Sequence, residues 1–230
     1  MAEKDHDYGF GTRAIHAGAI PDPVTGARAT PIHQTTSFVF DSAEHAASLF
    51  NLQTFGNVYS RISNPTVAVL EERVASLEGG RAALACATGM AAQMTAILAI
   101  LKAGDHIVAA STLYGGTVGQ LGIGFGRLGI ETTFVDPADP DNFRRAIRPN
   151  TRAVYGETLG NPLVNVFDIE AVAQVAHEHG LPLIIDNTVA SPYLCNPFAF
   201  GAAIVVPWPP RYLVALCTTM SAPKAKGLHR

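Results

Sequence analysis

Cysteine is scarce in this chain. Cys86, Cys195 and Cys217 are the only three among 230 residues. Three scattered thiols build neither a disulfide framework nor a zinc site, which points to a reducing, cytoplasmic setting. Lysine is scarce as well: Lys4, Lys102, Lys224 and Lys226 are four of the 16 basic residues, and the others are arginines. No apolar run approaches the ~20 residues of a membrane span. The start, Met1-Ala2-Glu3-Lys4-Asp5, lacks the pattern of a signal peptide. An excess of one charge is also missing: 16 basic against 19 acidic residues give a net charge of −3, with no polybasic run. That balance argues against nucleic acid and against a membrane surface as partners. Internal repeats are absent. What is present is apolar material, 48% of the residues against 15% charged, enough to bury a sizeable core.

The first forty residues are polar, rich in Gly and Pro and without period, and read as an extended arm. A short helix is expected over Asp41–Phe50, capped by Asp41 or Ser42. An irregular polar stretch, Asn51–Asn64, follows. From Pro65 the pattern changes. Val67, Leu70, Val74 and Leu77 fall at helical spacing behind Pro65, and Gly79-Gly80 stops the run. Short apolar stretches then alternate with helical ones. Strands are expected at Ala82–Cys86, His106–Ala110, Thr132–Asp136, Arg152–Gly156, Pro182–Asp186 and Ala203–Val206. Helices are expected at Met90–Leu101, Asn142–Ile147 and Asp168–His179. Strands buried on both faces and separated by helices mean an α/β fold with a largely parallel sheet. The expected organisation is therefore an arm with a short helix over 1–64, an α/β domain over 65–206, and an unpatterned, disordered tail over 207–230.

In open α/β sheets ligands bind beyond the carboxyl ends of the strands, and the loops at those ends carry the informative residues. Ala87-Thr88-Gly89-Met90 opens a helix after the first strand and offers free backbone N–H groups to a phosphate. Alone, an ordinary strand-to-helix turn explains it equally well. Ser111-Thr112-Leu113-Tyr114-Gly115-Gly116 places an aromatic ring between small residues, able to stack on a planar ligand or to pack on the sheet edge. Glu157-Thr158-Leu159-Gly160-Asn161-Pro162 puts a carboxylate and an amide in one turn. Asp186-Asn187-Thr188 ends the apolar run Leu181-Pro182-Leu183-Ile184-Ile185. A carboxylate there costs desolvation unless a cation meets it, although capping the next segment is the simpler role. Four such loops on one edge favour a site for a planar, phosphorylated, cationic ring. Two patterns carry no function. Gly124-x-Gly126-x-x-Gly129 neither follows a strand nor opens a helix, so its dinucleotide spelling is accidental. His177-Glu178-His179 suits a solvated helix end better than a metal, and no metal site is expected.

These residues resemble the Cys/Met-metabolism pyridoxal-phosphate enzymes, whose large domain has the aspartate-aminotransferase type of fold. The resembling stretch runs from about Gly9 to Val206. It is carried by T-R-A-I-H-A-G, T-P-I-H-Q-T-T-S-F-V-F, G-N-V-Y-S-R-I-S-N-P-T, A-T-G-M-A-A, L-Y-G-G-T, E-T-L-G-N-P and D-N-T. The run F-D-S-A-E-H-A-A-S-L-F-N-L-Q favours the O-acetylhomoserine sulfhydrylase branch, which makes homocysteine and acetate from O-acetylhomoserine and sulfide. A cystathionine γ-synthase or methionine γ-lyase type is the second reading. A non-catalytic remnant or interaction partner is the third. The resemblance implies that Gly89 and Met90 give backbone N–H groups to the cofactor phosphate. It implies that Tyr59 and Arg61 reach the phosphate bound by a neighbouring subunit, hence a homo-oligomer, in the family a dimer of dimers. Tyr114 would stack on the pyridine ring and assist catalysis. Asp186 would pair with the ring nitrogen, Asn161 would sit near the ring hydroxyl, and Thr188 would flank the ring. The substrate would be a small amino acid.

The family also requires a Schiff-base lysine, in a motif like S-A-T-K followed by Gly-Gly, just after the strand ending at Val206. Here the sequence reads Pro207-Trp208-Pro209-Pro210-Arg211-Tyr212, and none of the four lysines stands in its place. Codons permitted for Trp208–Ala215, read from each third base, allow Ala-Thr-Lys, two residues and Gly-Gly. A frameshift near Pro207 is therefore the expectation, and with it a truncated chain that is inactive alone.

Overall fold

The structure, a computed structural model, describes residues 8–207 together with the backbone of 215–219. The expected tail falls outside the described residues, apart from Pro207 and that short backbone segment. So does the position after Val206 where the resemblance puts its lysine.

The chain divides into two compact units, 1–73 and 74–230. In the first, α1 (Phe10–His16) begins where an irregular arm was expected. It has no side-chain cap at Gly9 and buries no residue, so neither usual signal of a helix was present in the sequence. Then comes α2 (Ala43–Phe50), where the Ser42 side chain accepts the His45 N–H at 3.1 Å. Next is α3 (Pro65–Glu78), opened by its proline, whose last turn passes into the second unit.

The second unit is a sheet with flanking helices. Its strands are β1 (Ala82–Cys86), β2 (His106–Ala110), β3 (Glu131–Val135), β4 (Thr151–Glu157), β5 (Leu183–Asp186), β6 (Ile204–Val206) and β7 (Ala215–Thr219). Their order is β1-β7-β6-β5-β4-β2-β3. The block β6-β5-β4-β2-β3 is parallel, and β7 runs antiparallel to both β6 and β1. The fold is thus α/β with a mostly parallel sheet, as expected. The tail reading assigned no element at Ala215–Thr219; β7 is instead held on both sides by pairing, a tertiary cause without a local signature.

The helices of this unit are α4 (Gly89–Leu98), α5 (Gly115–Gly119), α6 (Phe125–Arg127), α7 (Pro140–Ala146), α8 (Ile169–Glu178) and α9 (Ser191–Leu194). Caps set several starts: Thr88 accepts the Ala91 N–H at 3.0 Å, and Asp168 accepts the Ala171 N–H at 3.0 Å. Between α5 and α6 a π-helical turn, Gln120–Gly124, keeps the chain coiled. The glycine pattern at 124–129 lies in these turns and ahead of β3. Leu121 and Phe125, four apart and fully buried, hold this glycine-rich stretch against the sheet. Ile107, Val108, Val154, Ile184, Ile185 and Val205 form the strand layer of one continuous core, with Phe143, Val172 and Ala176 packed over it. Parallel strands buried on both faces explain their unbroken Val/Ile runs.

Candidate active site

A cavity of about 400 Å³ opens at the carboxyl ends of β1, β2, β4 and β5. Its lining includes Gly89, Met90, Tyr114, Asn161, Asp186 and Thr188. Six of the eight residues singled out from the sequence are thus brought together. Tyr59 and Arg61 belong to the first unit, where the Arg61 guanidinium lies 5.3 Å from the centre of the Tyr59 ring.

The wall nearest β1 is the start of α4. Thr88 is extended and caps the helix through its hydroxyl. Helix geometry leaves the N–H groups of Gly89 and Met90 without an intrahelical acceptor, and the aligned peptide dipoles favour an anion there. Facing this, Tyr114 sits at the N-terminus of α5 and is half exposed, its ring lying across Gly116. A Cβ at Gly116 would collide with that ring, so glycine lets the ring lie where it does.

The floor is acidic. Glu157 and Asp186 end neighbouring parallel strands as partners in register. Asp186 accepts the Thr188 N–H at 2.9 Å, and burial raises its pKa above the ordinary carboxylate range. Glu157 accepts the Tyr114 N–H at 2.8 Å. Burial pushes its pKa up to about 7, and the neighbouring Asp186 adds to the rise. No ion pair among the described residues engages either acid. A site with one buried and one half-buried acid, both desolvated and unpaired with a cation, is arranged to receive one.

Behind the floor, Asn187 is fully buried and holds the turn that carries Asp186. Its Oδ1 accepts from the Thr158 hydroxyl at 2.8 Å, and its Nδ2 donates to the Cys195 carbonyl at 3.0 Å. The same amide faces the Glu78 carboxyl at 3.3 Å. Sequence reasoning had not singled out Thr88, Gln93, Thr117, Leu159 or Val189, which also line the cavity. Gln93 gave one usable signal, a polar residue on the alanine-rich face of α4 that Ala92 and Ala96 bury.

The second motif set aside earlier is also accounted for. Glu178 forms an ion pair with Arg144, and the His179 ring meets the Val175 carbonyl at 2.9 Å. No group of potential metal ligands is assembled among the described residues. Nor is any helix among them long and apolar enough to cross a membrane.

A mostly parallel α/β sheet with flanking helices is the fold of the pyridoxal-phosphate-dependent transferases, and here it gathers the free start of α4, the Tyr114 ring and the Asp186 carboxyl at one edge. The comparisons agree. Residues 11–221 match the family described as "Cys/Met metabolism PLP-dependent enzyme". An O-acetyl-L-homoserine sulfhydrylase of Leptospira meyeri is 58% identical over 195 residues, 85% of this chain and 44% of its own length. An L-methionine gamma-lyase of Porphyromonas gingivalis is 48% identical over 206 residues, 89% of this chain and 51% of its own. Among crystal structures, an O-acetylhomoserine (thiol)-lyase of Campylobacter jejuni, carrying N'-pyridoxyl-lysine-5'-monophosphate, superposes with a TM-score of 0.90 at 35% identity. That match covers 94% of this chain and 55% of the other. The chain belongs to the Cys/Met-metabolism family of pyridoxal-phosphate-dependent enzymes, and it spans about half the length of the relatives it matches.

Proposed function

We propose that residues 65–206 form the cofactor-binding part of a pyridoxal-phosphate enzyme of the O-acetylhomoserine sulfhydrylase type, which exchanges acetate for sulfide at the substrate's γ-carbon. The observation that carries this reading is Asp186, a half-buried, desolvated acid with no cationic partner among the described residues, at the floor of a cavity whose wall is the start of α4. The donor set fits the group. Gly89 and Met90 would give N–H groups to its phosphate, Asp186 would meet its ring nitrogen, and Tyr114 would cover its face. Asn161 would reach the ring hydroxyl and Thr188 the ring's other side. The bound cofactor supplies an electron sink for the substrate's α-carbon. Asp186 would keep the ring nitrogen protonated, and the hydroxyl of the half-exposed Tyr114 would be available to move a proton at the cavity. Tyr59 and Arg61 would act in the site of a second copy, so a homo-oligomer is part of the reading.

No lysine lies between Lys102 and Lys224, so the cofactor would be held by these contacts alone. The test titrates the full chain with pyridoxal phosphate and follows its absorption. Saturable binding is expected, fully removed by dialysis, with no mass gain on any lysine after borohydride. A chain that does not perturb the absorption refutes the cofactor reading. The sulfhydrylase branch is favoured over the methionine γ-lyase branch by the 58% against 48% identities. O-acetylhomoserine should then perturb the bound cofactor's spectrum more than methionine does, and the reverse order would reassign the branch.

A further inference from the structure

The cavity floor holds a second acid that the functional reading leaves without a task. Glu157 is 7% exposed and lines the cavity. The groups facing it come from four elements. Asp186 stands beside it on β5, and Tyr155 precedes it on β4. The Thr117 hydroxyl approaches from α5, and the Tyr114 N–H from the loop after β2. None of these is a cation. The contact of firmest geometry is the one to Tyr114, whose N–H donates to Oε1 at 2.8 Å. Tyr114 is the first residue outside α5, with φ −51 and ψ 135, and no side chain caps the helix there. Its backbone sets the point from which the ring reaches over Gly116. That backbone is tied to β4 by one acceptor oxygen.

We propose that Glu157 is a positioning residue for Tyr114: its carboxyl fixes the Tyr114 backbone through the N–H it accepts, and the hold is tighter when that carboxyl is charged. A charged acceptor makes a shorter and roughly twofold stronger hydrogen bond than a neutral one. Burial beside Asp186 brings the titration into the neutral range, with a pKa of about 7. The assignment of Tyr114 to a cofactor rests on the reading given above; the coupling of Glu157 to Tyr114 does not.

The experiment follows the Tyr114 backbone amide by proton–nitrogen NMR of the full chain without cofactor, from acidic to mildly alkaline pH. The amide proton moves downfield with a midpoint near 7 in the wild type, following the Glu157 carboxyl. In Glu157→Gln the acceptor oxygen remains and the movement disappears. In Asp186→Asn the movement persists with a lower midpoint, because a like charge beside Glu157 is gone. A Tyr114 amide that does not titrate, or titrates equally in Glu157→Gln, overturns the proposal. So does a midpoint that fails to fall in Asp186→Asn. With pyridoxal phosphate added, Glu157→Gln should weaken binding by ~3-fold above the midpoint and leave it unchanged below. Equal affinity at both pH values would mean that Glu157 does not position Tyr114 for the ligand. An amide that titrates in a chain that binds no cofactor supports the coupling and refutes the cofactor reading instead.

Discussion

The two edges of one sheet treat charge in opposite ways. At the amino edge, His106, Asp105, Arg148, Arg152 and Glu131 are each answered by a partner. The buried His106 ring is held between the Thr151 and Thr133 hydroxyls, each at 2.8 Å. Asp105 accepts the Lys102 N–H at 2.9 Å and meets Arg152 at 3.4 Å, and Arg148 reaches Glu131 at 2.7 Å. At the carboxyl edge, the buried Glu157 and the half-buried Asp186 lie side by side, and among the described residues no cation pairs with either. The first arrangement adds to stability, because each buried polar group has its partners. The second subtracts from it, because two acids lose their hydration and repel each other. A fold keeps such an arrangement where a ligand supplies the missing charge, and this contrast separates the working edge from the structural one.

The sharpest way to break the comparison is Asp186→Asn. It removes the charge but keeps the shape and one acceptor for the Thr188 N–H. Affinity for pyridoxal phosphate should fall by roughly a hundredfold, the ~3 kcal/mol of one buried charge pair. The thermal midpoint of the unliganded chain should rise, since a buried acid costs stability without its partner. A variant that binds normally, or is less stable, would remove Asp186 from the role given to it. His106→Ala makes the opposite claim. It leaves two threonine hydroxyls without their partner and opens a hole in the sheet layer, so stability should drop by ~2–3 kcal/mol in urea unfolding while cofactor affinity stays within twofold. The pH sign follows from burial, which lowers the His106 pKa. Its contribution is complete above the ordinary histidine range, near 6.5. Stability is lost as pH falls below it, because the unfolded chain takes up the proton first.

The strands and the carboxyl edge were largely legible in the sequence; the amino edge was not. β1 and β2 occupy the residues expected from their apolar runs, Ala82–Cys86 and His106–Ala110. Gly89, Met90, Tyr114, Asn161, Asp186 and Thr188 each lie at or soon after the carboxyl end of a strand, where topology alone gathers them. Gln93 and Thr117 could not be found that way, because they sit inside helices and reach the cavity only through helix packing. The coil at 115–127 was missed because its glycines argue against a helix, and its two buried anchors, Leu121 and Phe125, act through tertiary contact. Glu78 shows the same limit. A glutamate closing a helix before Gly79-Gly80 reads as a solvated end, yet it is fully buried.

That residue gives the next prediction, intermediate in size. Burial raises the Glu78 pKa to about 7, against a weak lowering by the Asn187 amide. The folded chain therefore holds this proton more tightly than the unfolded one. Stability declines as pH rises from the ordinary glutamate range to about 7 and is level above that. Glu78→Gln removes the decline due to this group, worth at most ~3 kcal/mol. Urea unfolding should find the variant more stable than the wild type above neutrality and similar to it near pH ~4.5. A gain of the same size at both ends would point to packing rather than ionisation.

The smallest effect tests whether the wall of the cavity is as separable from stability as its floor. Thr88 caps α4 through its hydroxyl and also lines the cavity, so its two tasks fall on one residue. Thr88→Ala should cost ~1 kcal/mol of stability, the usual loss for a helix cap. If the start of α4 receives the phosphate, the same change should also weaken pyridoxal phosphate binding by a few-fold, because the Gly89 and Met90 N–H groups lose their fixed direction. Thr88→Ser keeps the cap oxygen and should restore both properties. Restored stability with affinity still reduced would mean that the threonine methyl, not the helix start, meets the ligand.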